Sequence, residues 1–124
     1  MTFQKRVLEW MMACFSNEIC RDTTECNHCF LEESLELVQS LGCIASEAHQ
    51  LVTYVYSRPV GDPHQEVGGV MVTLAALCSA ADMDMAPLGE TELSRVWKNI
   101  EKIRAKQAAK PKHSPLPAWL RQAD

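Results

Sequence analysis

The chain has few of the residues that build β-hairpins. Only 5 of its 124 residues are glycine, and it contains no Asn-Gly or Asp-Gly pair, the strongest local signals for a tight hairpin turn. Aromatic residues make up 6% of the chain, and no segment sustains the alternation of apolar and polar residues that marks a half-buried strand. These absences argue against a β-sandwich or a barrel and favour helices.

The chain also lacks an apolar run long enough to cross a membrane. Its longest such stretch, residues 67–81, is shorter than the roughly 20 residues that a helical span needs. Lys5 and Arg6 precede an apolar run near the N-terminus, but Glu9 interrupts that run and no small-residue cleavage site follows, so we expect no secretory signal. We therefore predict a cytoplasmic protein with no membrane partner, whose six cysteines are reduced.

Charge is divided unevenly along the chain. Residues 1–94 contain 14 acidic residues and 4 Lys or Arg, about −10, whereas residues 95–124 contain 8 Lys or Arg and 2 acidic residues, about +6, which together give the net charge of −4. A nucleic-acid-binding tail has this asymmetry, and so does a site where carboxylates hold metal ions and nearby lysines contact phosphate. No aromatic residues are interleaved with the lysines for base stacking, so we expect no nucleic-acid partner.

Helical periodicity dominates, and it predicts five helices over residues 3–15, 23–41, 45–57, 63–82 and 90–109. Residues typical of helix ends support these boundaries: Asp22, Thr23 or Thr24, Gly42, Ser46, Asp62–Pro63 and Gly89. Three prolines after Lys110 predict an extended tail. The expected organisation is one all-α domain over residues 1–110, followed by a tail over residues 111–124.

The second predicted helix has an acidic face. Its apolar side chains fall on one broad arc of the helical wheel: Phe30, Leu31, Leu35, Leu37, Val38 and Leu41. Glu33 and Glu36 on the opposite face lie one turn apart, so their carboxylates can converge on a hard cation that needs oxygen ligands. Such pairs are common on faces that simply contact water, and spacing alone does not separate the two interpretations.

The fourth predicted helix is apolar or small at almost every position from residue 67 to residue 81. This pattern predicts a central helix that is covered on all sides. Glu66 lies in its first turns, where a buried carboxylate is costly unless it is paired or binds a metal. The alternative is that Glu66 only interacts favourably with the helix N-terminus.

The last predicted helix has a basic stripe. Lys98, Lys102 and Lys106 recur every four residues on one face. They either form a solvated face or supply counter-charges for substrate phosphates.

Residues 31–37 and 64–70 together resemble the MazG-like nucleotide pyrophosphohydrolases of the all-α NTP pyrophosphatase superfamily. The resemblance extends over most of the chain, and residues 54–61 and 103–117 resemble a branch often found in phage and prophage genomes. The family motif is E-x-x-E followed, after a spacer, by E-x-x-D. Glu33 and Glu36 match the first half of the motif, and Glu66 matches the start of the second half.

The resemblance implies a helical bundle whose active site is built from a four-helix core, in a homodimer or a tetramer. It also implies a Mg²⁺-dependent reaction, with Mn²⁺ as an alternative ion, that converts a nucleoside triphosphate into a nucleoside monophosphate and pyrophosphate. By this resemblance Glu33 and Glu36 are catalytic, and they hold the metal together with Glu66. Glu32 and Asp62 are candidates for a further metal ligand or for the base. Binding of the substrate phosphates is assigned to the basic stripe: Lys98, Lys102 and Lys106.

Two departures from the family pattern point to an alternative function. Gly69 occupies the position of the motif aspartate, and Cys26 and Cys29 lie where this branch is expected to have arginines. A catalytically impaired, MazG-like helical binding protein would tolerate both changes. Cys20, Cys26, His28 and Cys29 have some zinc-ligand character, but two cysteines spaced i, i+3 inside a helix lack the turn of a zinc knuckle, so we expect no zinc.

Overall fold

The computed structural model describes residues 1–117 and Leu120, and within them it has seven helices and no strand. The helices are α1 (Phe3–Cys14), α2 (Asn17–Cys20), α3 (Thr23–Ser40), α4 (Ala45–Tyr56), α5 (Pro63–Ala80), α6 (Met85–Lys98) and α7 (Ile100–Ala108). The predicted all-α fold is confirmed. The number of helices is seven rather than five, because the short α2 was not predicted and the last predicted helix is divided into α6 and α7.

Side-chain caps begin the helices of the N-terminal region. The Thr2 hydroxyl accepts a hydrogen bond of 3.1 Å from the Lys5 N–H at the start of α1, and the Ser16 hydroxyl accepts one of 3.3 Å from Ile19 at the start of α2. Asp22 caps α3 by accepting from the Glu25 N–H at 3.1 Å. Each cap satisfies an amide that the first turn leaves without a helical partner. The predicted start of α3 at Asp22 is confirmed.

The predicted helix ends at Ser46 and Gly89 are wrong. At the start of α4 the Glu47 carboxylate accepts from the Ile44 N–H at 3.1 Å, so Ile44 rather than Ser46 precedes the helix. Helix α6 begins at Met85 and continues through Gly89. Pro87 lies in its first turn, where proline is tolerated because no helical hydrogen bond is lost. The break comes at Asn99, whose side chain donates to the Arg95 carbonyl at 2.7 Å.

Backbone conformation ends α3 and α5. Gly42 ends α3 as predicted, with a φ of 98° that glycine adopts without a steric penalty. Asp82 ends α5 with a φ of 55°. There the Met83 N–H donates to the Cys78 carbonyl at 2.8 Å and the Asp82 N–H to the Ser79 carbonyl at 3.2 Å, so the last carbonyls of α5 are satisfied.

The chain divides into two compact units. The first comprises Met1–Gly42 and Leu93–Asp124, and the second comprises Cys43–Glu92. Within the first unit, α1 packs against α2 and α7, rather than in the predicted four-helix core. The described residues that are almost fully buried are Cys14, Glu25, Leu93 and Ser114 in the first unit and Cys78 in the second.

Helix α5 is not covered as the sequence predicts. Val67, Met71 and Val72 are 62%, 63% and 70% exposed, and Glu66 in the first turn is exposed too. The prediction of a buried central helix is therefore wrong for this chain. Hydrophobic periodicity indicates which side chains gain stability from burial. It does not show that the same chain provides a surface that covers them. Because Glu66 is exposed, the cost of burying a carboxylate gives no reason to assign it a metal or an ion-pair partner.

The segment after α7 has no helix or strand over residues 111–117, but it is bound to the first unit. Ser114 is 0% exposed, and its hydroxyl lies 2.7 Å from His28 Nδ1. The Ser114 hydroxyl also accepts from the Leu116 N–H at 3.1 Å. The rest of the predicted tail, residues 118–119 and 121–124, lies outside the described residues.

Membrane-spanning potential is limited among the described helices. None of them is by itself both long and apolar enough to cross a membrane. Helices α5 and α6 satisfy the length and composition requirement only when they are taken together, and they are bent by 103° at the break between them.

Candidate functional site

Three glutamates converge on the exposed face of α3. One carboxylate oxygen from each of Glu32, Glu33 and Glu36 lies within 4.8 Å of the other two. The spacing i, i+1, i+4 produces this cluster, because residues three and four apart are neighbours on a helix surface. Oxygen ligands of this kind suit Mg²⁺, which keeps several waters and takes one or two carboxylates. The donor set therefore fits the implied metal.

The charge of this cluster has an energetic consequence. Like charges at i, i+4 destabilise a helix by a few tenths of a kcal/mol, and all three glutamates are exposed. A bound divalent cation would remove this repulsion and so stabilise α3.

Glu66 and Asp62 belong to the second unit. The Glu66 side chain lies against Gly61, where an added Cβ would be 3.2 Å from Glu66 Oε1. Asp62 begins α5, since Oδ1 accepts from the His64 N–H at 3.1 Å and lies 3.3 Å from His64 Nδ1. Asp62 therefore has a structural role of its own. A metal role for either residue stays a prediction.

The position of the missing motif aspartate is sterically open. A Cβ added at Gly69 meets no atom within 4 Å, and the same holds at the neighbouring Gly68. Both glycines lie within α5. An aspartate at either position therefore fits without rearrangement of the chain.

The basic stripe is solvent-exposed. Lys98 ends α6, while Lys102 and Lys106 lie on α7, and all three side chains are exposed. Arg104 and Gln107 line a cavity on a different face of α7. The predicted phosphate role of the three lysines stays a prediction.

Two cysteines, Cys26 and Cys29, lie on the acidic helix α3 itself. Desolvation raises the pKa of both thiols above its usual value, which disfavours the thiolate that binds metals. In the part of the chain that the structure describes, the side chains that come within ligand distance as a group of three are the glutamates of α3.

A cavity of about 460 Å³ lies within the first unit. Its walls come from the α1–α2 junction, the start of α3, the end of α7 and residues 110–113. Glu25 lines it and is only 5% exposed, and its Oε1 accepts a 2.6 Å hydrogen bond from Gln107 Nε2. A buried carboxylate needs such a donor because desolvation otherwise costs several kcal/mol.

Arg104 holds α7 against the end of α1. Its Nε donates to the Cys14 carbonyl at 3.1 Å, and Nη2 donates to the Ala13 carbonyl. Its Nη1 lies 3.2 Å from Glu101 Oε1. The guanidinium thereby satisfies carbonyls that the last turn of α1 leaves without helical partners. This contact positions one wall of the cavity.

His113 closes the cavity on another side. Its Nδ1 is hydrogen-bonded to Asp22 Oδ2, while the other Asp22 oxygen caps α3. The hydrogen bond from His113 and the backbone N–H of Glu25 lower the pKa of Asp22 below its usual value. Asp22 therefore serves both the start of α3 and the attachment of residues 111–117.

The cavity residues Glu25 and Gln107 are ones that sequence reasoning missed. Glu25 lies in the first turn of α3, where acidic residues are common because they interact favourably with the helix N-terminus. A signal was present, because Glu25, Glu32 and Glu36 follow one another at i, i+7 and i+11 and so share one face of α3. Gln107 had no signal, since its role depends on a contact with a residue 82 positions away.

Comparison with known proteins adds no relative. No family model, no curated protein and no solved structure matches the chain. The MazG-like character therefore stays a resemblance carried by the sequence motifs alone.

Asp22→Asn tests the attachment of residues 111–117. Asparagine keeps the cap of α3 but removes the charge that pairs with His113, so the free energy of unfolding should fall at neutral pH. Because the pKa of Asp22 is lowered by folding, its contribution is present above the unfolded pKa and lost as pH falls through the folded one. The variant and the parent should therefore converge as the pH falls below the ordinary aspartate range and Asp22 becomes protonated.

Urea unfolding followed by circular dichroism measures this difference. Asp84→Asn, in the loop between α5 and α6, is the matched control. A deficit in Asp22→Asn that is the same at neutral and acid pH would show that the charge of Asp22 does not stabilise the fold.

Proposed function

We propose that the protein is a Mg²⁺-dependent nucleoside triphosphate pyrophosphohydrolase that acts in the cytoplasm. The observation that carries this proposal is the convergence of the carboxylates of Glu32, Glu33 and Glu36 within 4.8 Å. The E-x-x-E spacing of Glu33 and Glu36, which resembles that of MazG-like enzymes, supports the same reaction.

The residues of the cluster have distinct roles in this reaction. Glu33 and Glu36, one turn apart, would hold the ion, and Mn²⁺ has the same ligand preference. An ion held there would neutralise phosphate charge and lower the pKa of a water molecule. Glu32 accepts the proton of the attacking water. Attack at the α phosphate breaks the α–β anhydride bond and releases a nucleoside monophosphate and pyrophosphate.

Glu36→Gln tests the assignment directly. The substitution removes a metal ligand at constant side-chain volume, so turnover should fall roughly a hundredfold while helical content is unchanged. Purified protein is incubated with ordinary and deoxy nucleoside triphosphates, with and without Mg²⁺, and products are resolved by chromatography. Glu9→Gln, on the exposed surface of α1, is the matched control and should retain parental turnover.

The products separate this reaction from others. Monophosphate and pyrophosphate, formed only with Mg²⁺, support the proposal, whereas diphosphate and orthophosphate contradict it. If Glu36→Gln kept the turnover of the parent protein, the metal could not be assigned to the glutamate cluster of α3. Glu66→Gln, whose role rests on the resemblance alone, is assayed in parallel.

A non-catalytic helical binding protein is the second candidate. Gly69 favours it, because glycine has no side chain to fill the role of the motif aspartate. Cys26 and Cys29, whose side chains carry no positive charge, also cannot replace arginines in contacting phosphate. On this hypothesis the chain keeps the helices and the acidic cluster without turnover.

Gly69→Asp distinguishes the two functions. Restoring E-x-x-D should raise turnover several-fold at limiting Mg²⁺ if the chain is an enzyme, because the family resemblance assigns a metal-binding carboxylate to this position. Gly68→Asp is the matched control, since a Cβ at either position meets open space. The two substitutions also change the helix propensity by the same amount. An inactive parent that becomes active only as Gly69→Asp would establish the binding-protein candidate. Equal rates in both variants would exclude a role for position 69.

We also propose that the protein is a homodimer or a tetramer. Apolar side chains of α5 support this proposal, since Val67, Met71 and Val72 are more than half exposed. Monomers rarely expose contiguous apolar patches.

Val72→Glu tests the assembly. A charge within an apolar interface should shift the protein toward monomer, because burying an unpaired carboxylate costs several kcal/mol. Light scattering coupled to size exclusion gives the mass. Gln65→Glu, which adds the same charge at an exposed polar position of α5, should leave the mass unchanged. A parent protein that is monomeric at all concentrations would contradict the proposal.

A further inference from the structure

We propose that the cavity beside Glu25 binds a guanine base and so selects guanine nucleotides as the substrate; this inference rests on the proposed nucleotide hydrolysis. Four observations carry it. They are the buried carboxylate, the cation on the cavity wall, the aromatic ring at the α1–α2 junction, and the distance along α3 to the acidic cluster.

Glu25 places a hydrogen-bond acceptor in the wall of the cavity. Its side chain lines the cavity at 5% exposure, and Gln107 orients it by donating to Oε1. A carboxylate accepts two parallel hydrogen bonds. Guanine presents adjacent N1–H and N2–H₂ donors that match this geometry, whereas adenine and cytosine each present a single amino donor on that edge.

The cavity wall also has a hydrogen-bond donor with a positive charge. Lys110 lines the cavity at the end of α7, and an ammonium group is a common partner of guanine O6 and N7. The other carboxylates that line the cavity are Glu18 and Asp22, and Asp22 is occupied by His113 and by the cap of α3. Guanine, which has N–H donors beside the acceptors O6 and N7, can therefore contact both the Glu25 carboxylate and the Lys110 ammonium group.

An aromatic side chain completes the cavity. Phe15 lines it, and Trp10 holds the Phe15 ring edge to face, with 5.6 Å between ring centroids and an interplanar angle of 80°. An aromatic ring at such a position offers a surface for base stacking. The volume of about 460 Å³ lies in the range of small-molecule sites.

Helix α3 connects this cavity to the acidic cluster. Glu25, Glu32 and Glu36 share one face, and seven and eleven residues of helix separate the first from the other two by about 10 and 16 Å. An extended nucleoside triphosphate has a comparable length between its base and its outer phosphates. One substrate can therefore place its base at Glu25 and its phosphates at the glutamate cluster.

The experiment measures binding of GMP, AMP, CMP and UMP to the full chain in EDTA by isothermal titration calorimetry. Neither metal nor turnover is needed, so the result is independent of hydrolysis. We expect GMP to bind roughly tenfold or more tightly than the others. Glu25→Gln should remove that preference and leave AMP affinity nearly unchanged, while Glu9→Gln should retain it. Circular dichroism verifies that the variants are folded.

A second variant keeps the test valid if Glu25→Gln fails to fold. Lys110 follows the last turn of α7. The variant Lys110→Met should weaken GMP binding several-fold, with little effect on UMP binding. Equal affinity for the four nucleotides, no binding of any, or an unchanged preference in folded Glu25→Gln would overturn the inference. Hydrolysis of every nucleoside triphosphate at one rate, with no GMP preference, would retain the proposed reaction and reject the guanine cavity.

Discussion

The hydrogen bond between Glu25 and Gln107 is the contact on which the first unit depends. It joins residues 82 positions apart and brings the start of α3 to the end of α7. A carboxylate that is almost fully buried stabilises the fold only when a donor reaches it, and it destabilises the fold strongly when the donor is lost. The same contact forms the wall of the cavity and sets which face of α3 is turned outward.

Further polar contacts reinforce this junction. Arg104 binds carbonyls at the end of α1, His113 binds Asp22, and His28 contacts the buried Ser114. All join residues 104–114 to residues 13–28. A small unit with few buried apolar side chains thus relies on directional hydrogen bonds, which determine one arrangement more strictly than apolar contacts do. That precision suits a site whose ligand must meet several groups at once.

Some local predictions hold because their physics is local. Asp22 begins α3 and Gly42 ends it through contacts within four residues, which any reading of caps detects. Helix α2 was missed because its four residues complete barely one turn, too few for a periodic pattern. Gly89 was misread because Pro87 allows a helix to begin before it.

The sequence by itself determined the all-α fold and the acidic face of α3, because helical spacing places Glu32, Glu33 and Glu36 together on the helix surface. Only the tertiary structure decided that Glu25 is buried against Gln107 and that α5 leaves its apolar residues exposed. Burial depends on which distant segment covers a residue, and helical periodicity contains no information about that segment. The acidic cluster is a property of one helix, whereas the cavity is a property of the folded chain.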